Sequence, residues 1–275
     1  MPNWQSDYIE ANGIKLHYTR TGGAKPPFIL THGFSDDGLC WTPVAEVLAA
    51  DYDVIMLDAR GHGLSDGPEE GYGSLNHAAD VAGVIEGLGL HKPLLLGHSM
   101  GAATALALAG AYPDLPGAIL LEDPPAWWVA NAPAVNAGDR RRRFGGWIVD
   151  LKRKTAKEMI ETQRAASPSW SEAELGPWAM SKVRLSFNVL TAESPAPVDW
   201  PNVVAKITCP VLLITADPEL GGIVTPEAAA ELQRILAQTQ VQHIGGAGHS
   251  IRREQFARYM QVVQMFLAEV KGAEA

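Results

Sequence analysis

A serine between two glycines is the part of this sequence whose chemistry is easiest to name. Ser99 stands two residues after Gly97 and two before Gly101, between the apolar run Pro93–Leu96 and the alanine-rich stretch Ala102–Ala111. This order predicts a strand, a sharp turn and a helix, with the serine on the turn. The glycines let the chain pass closely without Cβ clashes. A serine hydroxyl exposed in this way is suited to nucleophilic attack on an acyl group.

A serine hydroxyl is a weak nucleophile at neutral pH and needs an adjacent base. Among the eight histidines, His249 is the candidate, because it ends the glycine-rich segment Gly245–His249 between the last predicted strand and the last predicted helix. In a parallel sheet this loop lies at the carboxyl edge of the strands, where Ser99 also lies. We therefore expect His249 to be the catalytic base.

Acyl transfer also needs donors for the oxyanion of the tetrahedral intermediate. The segment His32-Gly33-Phe34 follows a predicted strand and lies at the same sheet edge. The backbone N–H groups of Phe34 and of Met100, the residue after the nucleophile, are the predicted pair of donors. We expect His32 to hold the shape of this loop rather than to act as a second base.

The elements that position these residues alternate along the chain. Short apolar runs separated by helical stretches predict an α/β fold with a mostly parallel, doubly wound sheet. Asn12-Gly13 predicts a tight antiparallel hairpin at the sheet edge. No strand pattern appears in 124–200, a segment rich in tryptophan and proline. We predict a core domain formed by 1–123 and 201–275, with 124–200 inserted as a helical cap.

Four segments together resemble the α/β-hydrolase fold superfamily, and the resemblance extends from about residue 8 to about residue 267. The segments are His32–Phe34, Asp58–Asp66, Gly97–Gly101 and Gly248-His249. The resemblance implies a serine esterase or lactonase that needs no metal and no cofactor. Haloalkane dehalogenases and epoxide hydrolases resemble this chain but carry aspartate at the nucleophile position, so Ser99 argues against both activities.

The carboxylate that would orient His249 is open between three residues. Most members of the superfamily carry this acid after the strand that precedes Asp217 and Glu219, and some carry it one strand earlier, where Asp123 stands. Either strand end can bring a carboxylate to the Nδ1 side of His249. We take Asp123 as the first choice and keep Asp217 and Glu219 as alternatives.

Composition limits the partners of the chain. Its 275 residues carry a formal net charge of -9, which opposes binding to nucleic acid and to anionic membrane surfaces. We expect a small-molecule substrate, no nucleic acid and no membrane. The two cysteines do not make a disulfide framework, and no export signal or membrane span is visible, so we predict a cytoplasmic protein.

The expected reaction is hydrolysis of a carboxylic ester or lactone through an acyl-enzyme on Ser99. Six of the eight tryptophans fall in the predicted cap. Trp127 and Trp128 are the predicted pocket residues, favouring a substrate with a bulky apolar or aromatic part. The same triad would also serve hydrolysis of a carbon–carbon bond or cofactor-free perhydrolysis, and a ligand-binding receptor of the same fold is a further alternative.

Overall fold

The computed structural model describes residues 4–129, 137–192 and 197–273, and a sheet of eight strands forms its centre. The strands are Gln5–Ala11 (β1), Ile14–Arg20 (β2), Pro27–Thr31 (β3), Asp53–Leu57 (β4), Leu94–His98 (β5), Ala118–Glu122 (β6), Val211–Thr215 (β7) and Thr239–His243 (β8). Their order across the sheet is β1-β2-β4-β3-β5-β6-β7-β8. Strands β3 to β8 are parallel to one another. Strand β2 is antiparallel to β4, and β1 is antiparallel to β2. The predicted fold class is confirmed.

Helices cover both faces of this sheet. They are Thr42–Leu48 (α1), Ser74–Gly87 (α2), Met100–Ala111 (α3), Ala137–Lys152 (α4), Ala156–Ala166 (α5), Glu172–Arg184 (α6), Asn188–Thr191 (α7), Trp200–Val204 (α8), Pro226–Ile235 (α9), Ile251–Glu254 (α10) and Phe256–Ala273 (α11). Strands β4, β5, β6 and β7 are buried along their whole length, which explains why they appear in the sequence as unbroken apolar runs.

Alternate side chains of the strands divide the core into two layers. Ile29 belongs to a buried cluster that includes residues of α2, α3 and α9, whereas its neighbours Phe28 and Leu30 belong to a second cluster, on the opposite face, that includes residues of α1 and α11. The hairpin predicted at the edge of the sheet is present, with Asn12 at φ 49° and Gly13 at φ 75° joining β1 to β2. The loops after β3, β5, β6 and β8 therefore all leave the carboxyl edge of one sheet.

Helices α4 to α8 lie between β6 and β7 in the sequence, and the described residues of this stretch include no strand. Residues 130–136 and 193–196 of the predicted cap lie outside the described residues. The boundaries of the cap stay a prediction. Among the helices that the structure describes, none combines the length and the apolar character needed to cross a bilayer.

Candidate active site

Ser99 lies on the turn between β5 and α3 and is partly accessible to solvent. Its backbone has φ 51° and ψ -111°, a conformation that is rare for a residue with a side chain. The Ser99 N–H donates to the Glu122 carbonyl over 2.9 Å, and the Ser99 carbonyl accepts the Ala103 N–H over 3.0 Å. A Cβ at Gly97 would overlap the Gly101 backbone, so the turn requires glycine there. The strained turn presents the hydroxyl at the sheet edge.

The loop after β3 lies against this turn. A Cβ built on Gly33 would lie 3.5 Å from the Cβ of Ser99. His32 holds the loop from both sides of its ring: Nδ1 donates to the Gly33 carbonyl over 2.9 Å, and Nε2 accepts the Ala59 N–H over 3.0 Å. These contacts are those expected of a residue that sets the shape of the loop.

The N–H groups of Phe34 and Met100 belong to the two segments that meet here. Met100 is the first residue of α3, so its N–H has no acceptor within the helix. Within the described part of the chain, neither amide donates to another protein group. Two free N–H groups beside a serine are the feature that an oxyanion hole requires.

His249 is paired with Asp123. Its Nδ1 lies 2.7 Å from Oδ2 of Asp123, whose side chain is 0% exposed. The Asp123 carboxylate also accepts the N–H of Ile223, 2.9 Å from each oxygen, and the N–H of Val224, 2.9 Å from Oδ1. An ionised carboxylate only accepts hydrogen bonds, so Nδ1 of His249 carries the proton and Nε2 keeps a free lone pair. His249 can therefore receive a proton at Nε2.

Among the residues that the structure describes, neither of the other two acids considered from the sequence is hydrogen-bonded to His249. Asp217 Oδ2 accepts the Gly246 N–H over 2.7 Å, and Oδ1 lies 2.9 Å from His243 Nε2. The bond from Gly246, followed by that from His243, lowers the pKa of Asp217. Glu219 is exposed. Asp217 is engaged in holding the loop that leads to His249, and the carboxylate that bonds to His249 in the structure is that of Asp123.

His98, which carries no assigned role in the motifs described above, lies beside His249. The two rings have centroids 4.6 Å apart and planes inclined by 42°. Nε2 of His98 lies 2.9 Å from the main-chain carbonyl oxygen of His249, and this nitrogen carries the proton because a carbonyl oxygen only accepts. Burial, reinforced by the charge of Arg252, holds the pKa of His98 well below its usual value. The ring is therefore neutral at neutral pH.

A buried ion cluster includes Asp36, which lies on the loop after β3. It consists of Asp36, Glu122, Glu174, Lys182, Arg252 and Arg253, none of which is more than 5% exposed. Asp36 Oδ1 lies 2.8 Å from Lys182 Nζ, and Oδ2 lies 3.0 Å from an Nη of Arg253. Burial by itself raises the pKa of Asp36, but the surrounding cations outweigh burial and hold it well below the usual range. The cluster contains three acidic and three basic side chains.

This buried ion cluster connects several parts of the site. Lys182 in α6 also donates to the carbonyl of Ser35, the residue after Phe34, over 2.9 Å. Arg252 in α10 donates to the Glu122 carboxylate over 3.1 Å, and the main chain of Glu122 accepts the N–H of the serine turn. Lys182 therefore anchors α6 to the loop after β3, which carries Phe34. Breaking this buried pair would leave an uncompensated charge.

The tryptophans expected to line the pocket are placed differently from each other. Trp128 is 1% exposed, and its indole N–H donates to the Ala228 carbonyl over 2.8 Å. The prediction is wrong for Trp128, because both its ring and its N–H are used in the core. Trp127 is partly buried with its ring centroid 5.1 Å from that of Trp200, and its place in a pocket stays a prediction.

Two phenylalanine rings meet at the loop after β3. Phe34 and Phe144 have ring centroids 4.9 Å apart, and both are partly buried. Phe144 belongs to α4, so this contact joins a helix of the segment between β6 and β7 to the loop after β3. Phe34 also makes an edge contact with the His62 ring, at 6.0 Å between centroids.

Comparison with known proteins gives matches along most of the chain. A profile of the alpha/beta hydrolase family matches residues 28–261. N-formylmaleamate deformylase of Pseudomonas putida is 33% identical over 252 residues, which cover 88% of this chain and 89% of the relative. The 2-(acetamidomethylene)succinate hydrolase of Mesorhizobium japonicum is 36% identical over 107 residues, covering 39% of this chain and 38% of the relative.

Solved structures match over nearly the whole chain. The crystal structure of an N-formylmaleamic acid deformylase from Pseudomonas putida has a TM-score of 0.79 at 25% identity, covering 94% of this chain and 100% of that one. The enol-lactonase of Burkholderia xenovorans has a TM-score of 0.71 at 22% identity, covering 95% of this chain and 100% of that one. At that identity, the enol-lactonase shows likeness of fold alone.

Proposed function

Because the chain belongs to the alpha/beta hydrolase family, we propose that it is a serine hydrolase that cleaves a carboxylic ester or a lactone through an acyl-enzyme on Ser99. His249 is the base, Asp123 orients it, and the N–H groups of Phe34 and Met100 hold the oxyanion. The observation that carries the proposal is the 2.7 Å contact between His249 Nδ1 and the buried Asp123 carboxylate. It leaves Nε2 free to take a proton at the sheet edge where Ser99 lies.

The first half of the reaction forms the acyl-enzyme. His249 Nε2 takes the hydroxyl proton of Ser99 while Oγ bonds to the carbonyl carbon of the substrate. The carbonyl oxygen becomes an oxyanion and accepts hydrogen bonds from the two backbone N–H groups. When the bond to the leaving oxygen breaks, the proton on His249 passes to that oxygen. An ester then releases its alcohol, whereas the opened lactone stays attached through its acyl group.

The second half returns the enzyme to its starting state. A water molecule gives a proton to His249 Nε2 while its oxygen attacks the acyl carbon. The bond to Ser99 Oγ breaks, and the proton returns from His249 to that oxygen. The product is a carboxylic acid from an ester and a hydroxy acid from a lactone. No redox step or additional reactant is needed.

We assign helices α4 to α8 to a cap over Ser99. The contact between Phe144 of α4 and Phe34 supports this assignment, as does the bond from Lys182 of α6 to the Ser35 carbonyl. Two partly buried phenyl rings beside the proposed oxyanion donors favour a substrate with a bulky apolar or aromatic group.

A second candidate reaction is hydrolysis of an N-acyl bond in a small unsaturated acid. It is favoured by the similarity, over most of both chains, to N-formylmaleamate deformylase. The same residues would serve this reaction, with the His249 proton passing to the leaving nitrogen instead of an oxygen. Release of formate from N-formylmaleamate would distinguish this activity from that of an esterase or lactonase.

The test compares the wild type with Ser99→Ala on p-nitrophenyl esters, lactones and N-formylmaleamate. We expect turnover of at least one class by the wild type, loss of that turnover in the variant, and a mass increase on Ser99 after treatment with a fluorophosphonate. Product analysis separates carbon–carbon bond hydrolysis and perhydrolysis from ester cleavage. Full activity of Ser99→Ala would refute the proposal, and tight ligand binding without turnover would favour a receptor.

A further inference from the structure

We propose that His98 is a positioning residue for His249: its Nε2–H group holds the main-chain carbonyl of His249 and so sets where the imidazole meets Ser99. The inference rests on the proposed function, because it concerns the base of the same site. His98 itself touches neither the substrate nor the transferred proton. Its effect passes through the position of His249.

His249 needs such an anchor because of the loop that carries it. Three of the four residues before it are glycines, which leave the main chain free to adopt many conformations. Four hydrogen bonds restrain the loop before His249: the Gly246 and Gly248 N–H groups donate to the carboxylates of Asp217 and Glu254 over 2.7 and 2.6 Å, and the Gly246 and Ala247 carbonyls accept from Gln255 Nε2 over 3.1 Å and from the Asp217 N–H over 2.9 Å. The bond from His98 differs from these four because it holds the main chain of His249 itself, over 2.9 Å.

His98 is suited to the task because its own position is rigid. It is the last residue of β5, it is paired in register with Glu122 of β6, and it is 4% exposed. A Cβ built on Gly33 would lie 2.5 Å from Nδ1 of His98, so the His98 ring fills the space between the oxyanion loop and His249. A group on a packed strand holds its neighbour more accurately than a group on a loop.

The neutrality of His98 also matters for the reaction. His249 becomes positively charged when it takes the serine proton, and a second positive ring 4.6 Å away would oppose that charge. Burial keeps the pKa of His98 well below its usual value, so the ring donates a hydrogen bond without carrying a charge. A lysine or arginine in this place would donate equally well but would repel the protonated base.

Two variants separate the hydrogen bond from the ring contact. His98→Gln keeps an N–H donor near the Nε2 position and removes the ring. His98→Phe keeps a flat ring against His249 and removes the donor. Trp128→Phe is the matched control, because it also deletes a buried N–H that donates to a main-chain carbonyl, at 2.8 Å, but does so in the core. Thermal melting of each variant shows that the fold is retained, and His98→Leu replaces His98→Phe if the latter does not fold.

The measurements are kcat and KM on the best ester or lactone, together with the rate at which a fluorophosphonate labels Ser99. We expect His98→Phe to lower kcat and the labelling rate by about 10- to 100-fold, with KM changed by less than about threefold, because a displaced base weakens the chemical step. His98→Gln should recover most of both rates. Trp128→Phe should lower the melting temperature and leave both rates at the wild-type level.

Other results would overturn the inference in recognisable ways. Equal rates for the wild type and His98→Phe would show that the bond does not position the base. Equal losses in His98→Phe and His98→Gln would assign the effect to packing, as would an equal loss in Trp128→Phe. Failure of the proposed function looks different: a wild type that fluorophosphonate does not label, or labels as fast as it labels Ser99→Ala, has no activated serine for His98 to support.

Discussion

Replacement of Asp123 by asparagine tests which carboxylate orients His249, because the structure dictates how the new amide must lie. Oδ1 of Asp123 accepts the N–H groups of Ile223 and Val224, each over 2.9 Å. The amide oxygen of asparagine has to occupy this place, so its NH2 group faces His249. An NH2 group donates, and Nδ1 must then become the acceptor. The imidazole proton moves to Nε2, where it prevents His249 from taking the serine proton.

The expected loss is large because the base is placed correctly but carries its proton on the wrong nitrogen. In serine hydrolases of this design a forced change of tautomer lowers kcat by about 10⁴-fold, which corresponds to about 5 kcal/mol of activation free energy. Asp123→Asn keeps the shape of the side chain and the bonds of Oδ1 to the N–H groups of Ile223 and Val224, and it loses only the second contact of Ile223 with Oδ2, so the melting temperature should change little. Steady-state hydrolysis of a p-nitrophenyl ester, with fluorophosphonate labelling of Ser99, measures the loss.

Asp217→Asn is the control for this experiment. Asp217 bonds to Gly246 and His243 rather than to His249, so its amide should lower kcat by less than about tenfold through small loop displacements. A larger loss in Asp217→Asn than in Asp123→Asn would refute the assignment of the acid. So would an Asp123→Asn variant that retains more than about a tenth of the wild-type kcat.

Two further predictions concern stability. Lys182→Met should lower the free energy of unfolding, measured by urea denaturation, by about 3 kcal/mol, because it removes a cation from the buried carboxylate of Asp36. Arg164→Met removes a cation from an exposed pair with Glu172 and should be as stable as the wild type. Similar losses in both variants would contradict the role of burial. Burial, reinforced by a neighbouring histidine, lowers the pKa of His62 to about 3, so its stabilising effect is complete above the unfolded value of about 6.5 and is lost as pH falls towards the folded value. As pH falls from about 7.5 to about 5, His62 should lower the free energy of unfolding by about 2 kcal/mol. His62→Asn should not show this decrease. Equal pH dependence of stability in the wild type and in His62→Asn would disprove the prediction.

The elements of the core were predictable because local signals agree with the sheet. The apolar runs that lead to Ser99 and Asp123 are five-residue strands buried along their whole length, and buried parallel strands show unbroken apolar sequence. Asn12-Gly13 matched its turn because positive φ is needed at both positions. The serine turn was predictable for a steric reason, since its two glycines stand where a Cβ would overlap backbone.

The contacts between distant segments were not predictable from local pattern. Arg252 and Glu122 are 130 positions apart, and Arg253 and Asp36 are 217 apart. Each is a charged residue beside a recognisable motif, but charge alone does not reveal its partner. The error on Trp128 has the same origin, because its hydrogen-bond partner, Ala228, lies 100 positions further along the chain. Composition marked the segment as rich in tryptophan and did not separate core from pocket.

The choice of acid depends on the segment after β7. The ends of β6 and β7 are neighbours at one edge of the sheet, so a carboxylate at either end is within reach of the loop after β8. The residues after β7 supply the N–H groups of Ile223 and Val224 to Asp123, while Asp217 turns towards His243 and Gly246. Both oxygens of Asp217 are thereby occupied. Loss of the carboxylate at Asp123 therefore cannot be compensated by Asp217 unless the loop before His249 is released, and a released loop would no longer hold the base beside Ser99.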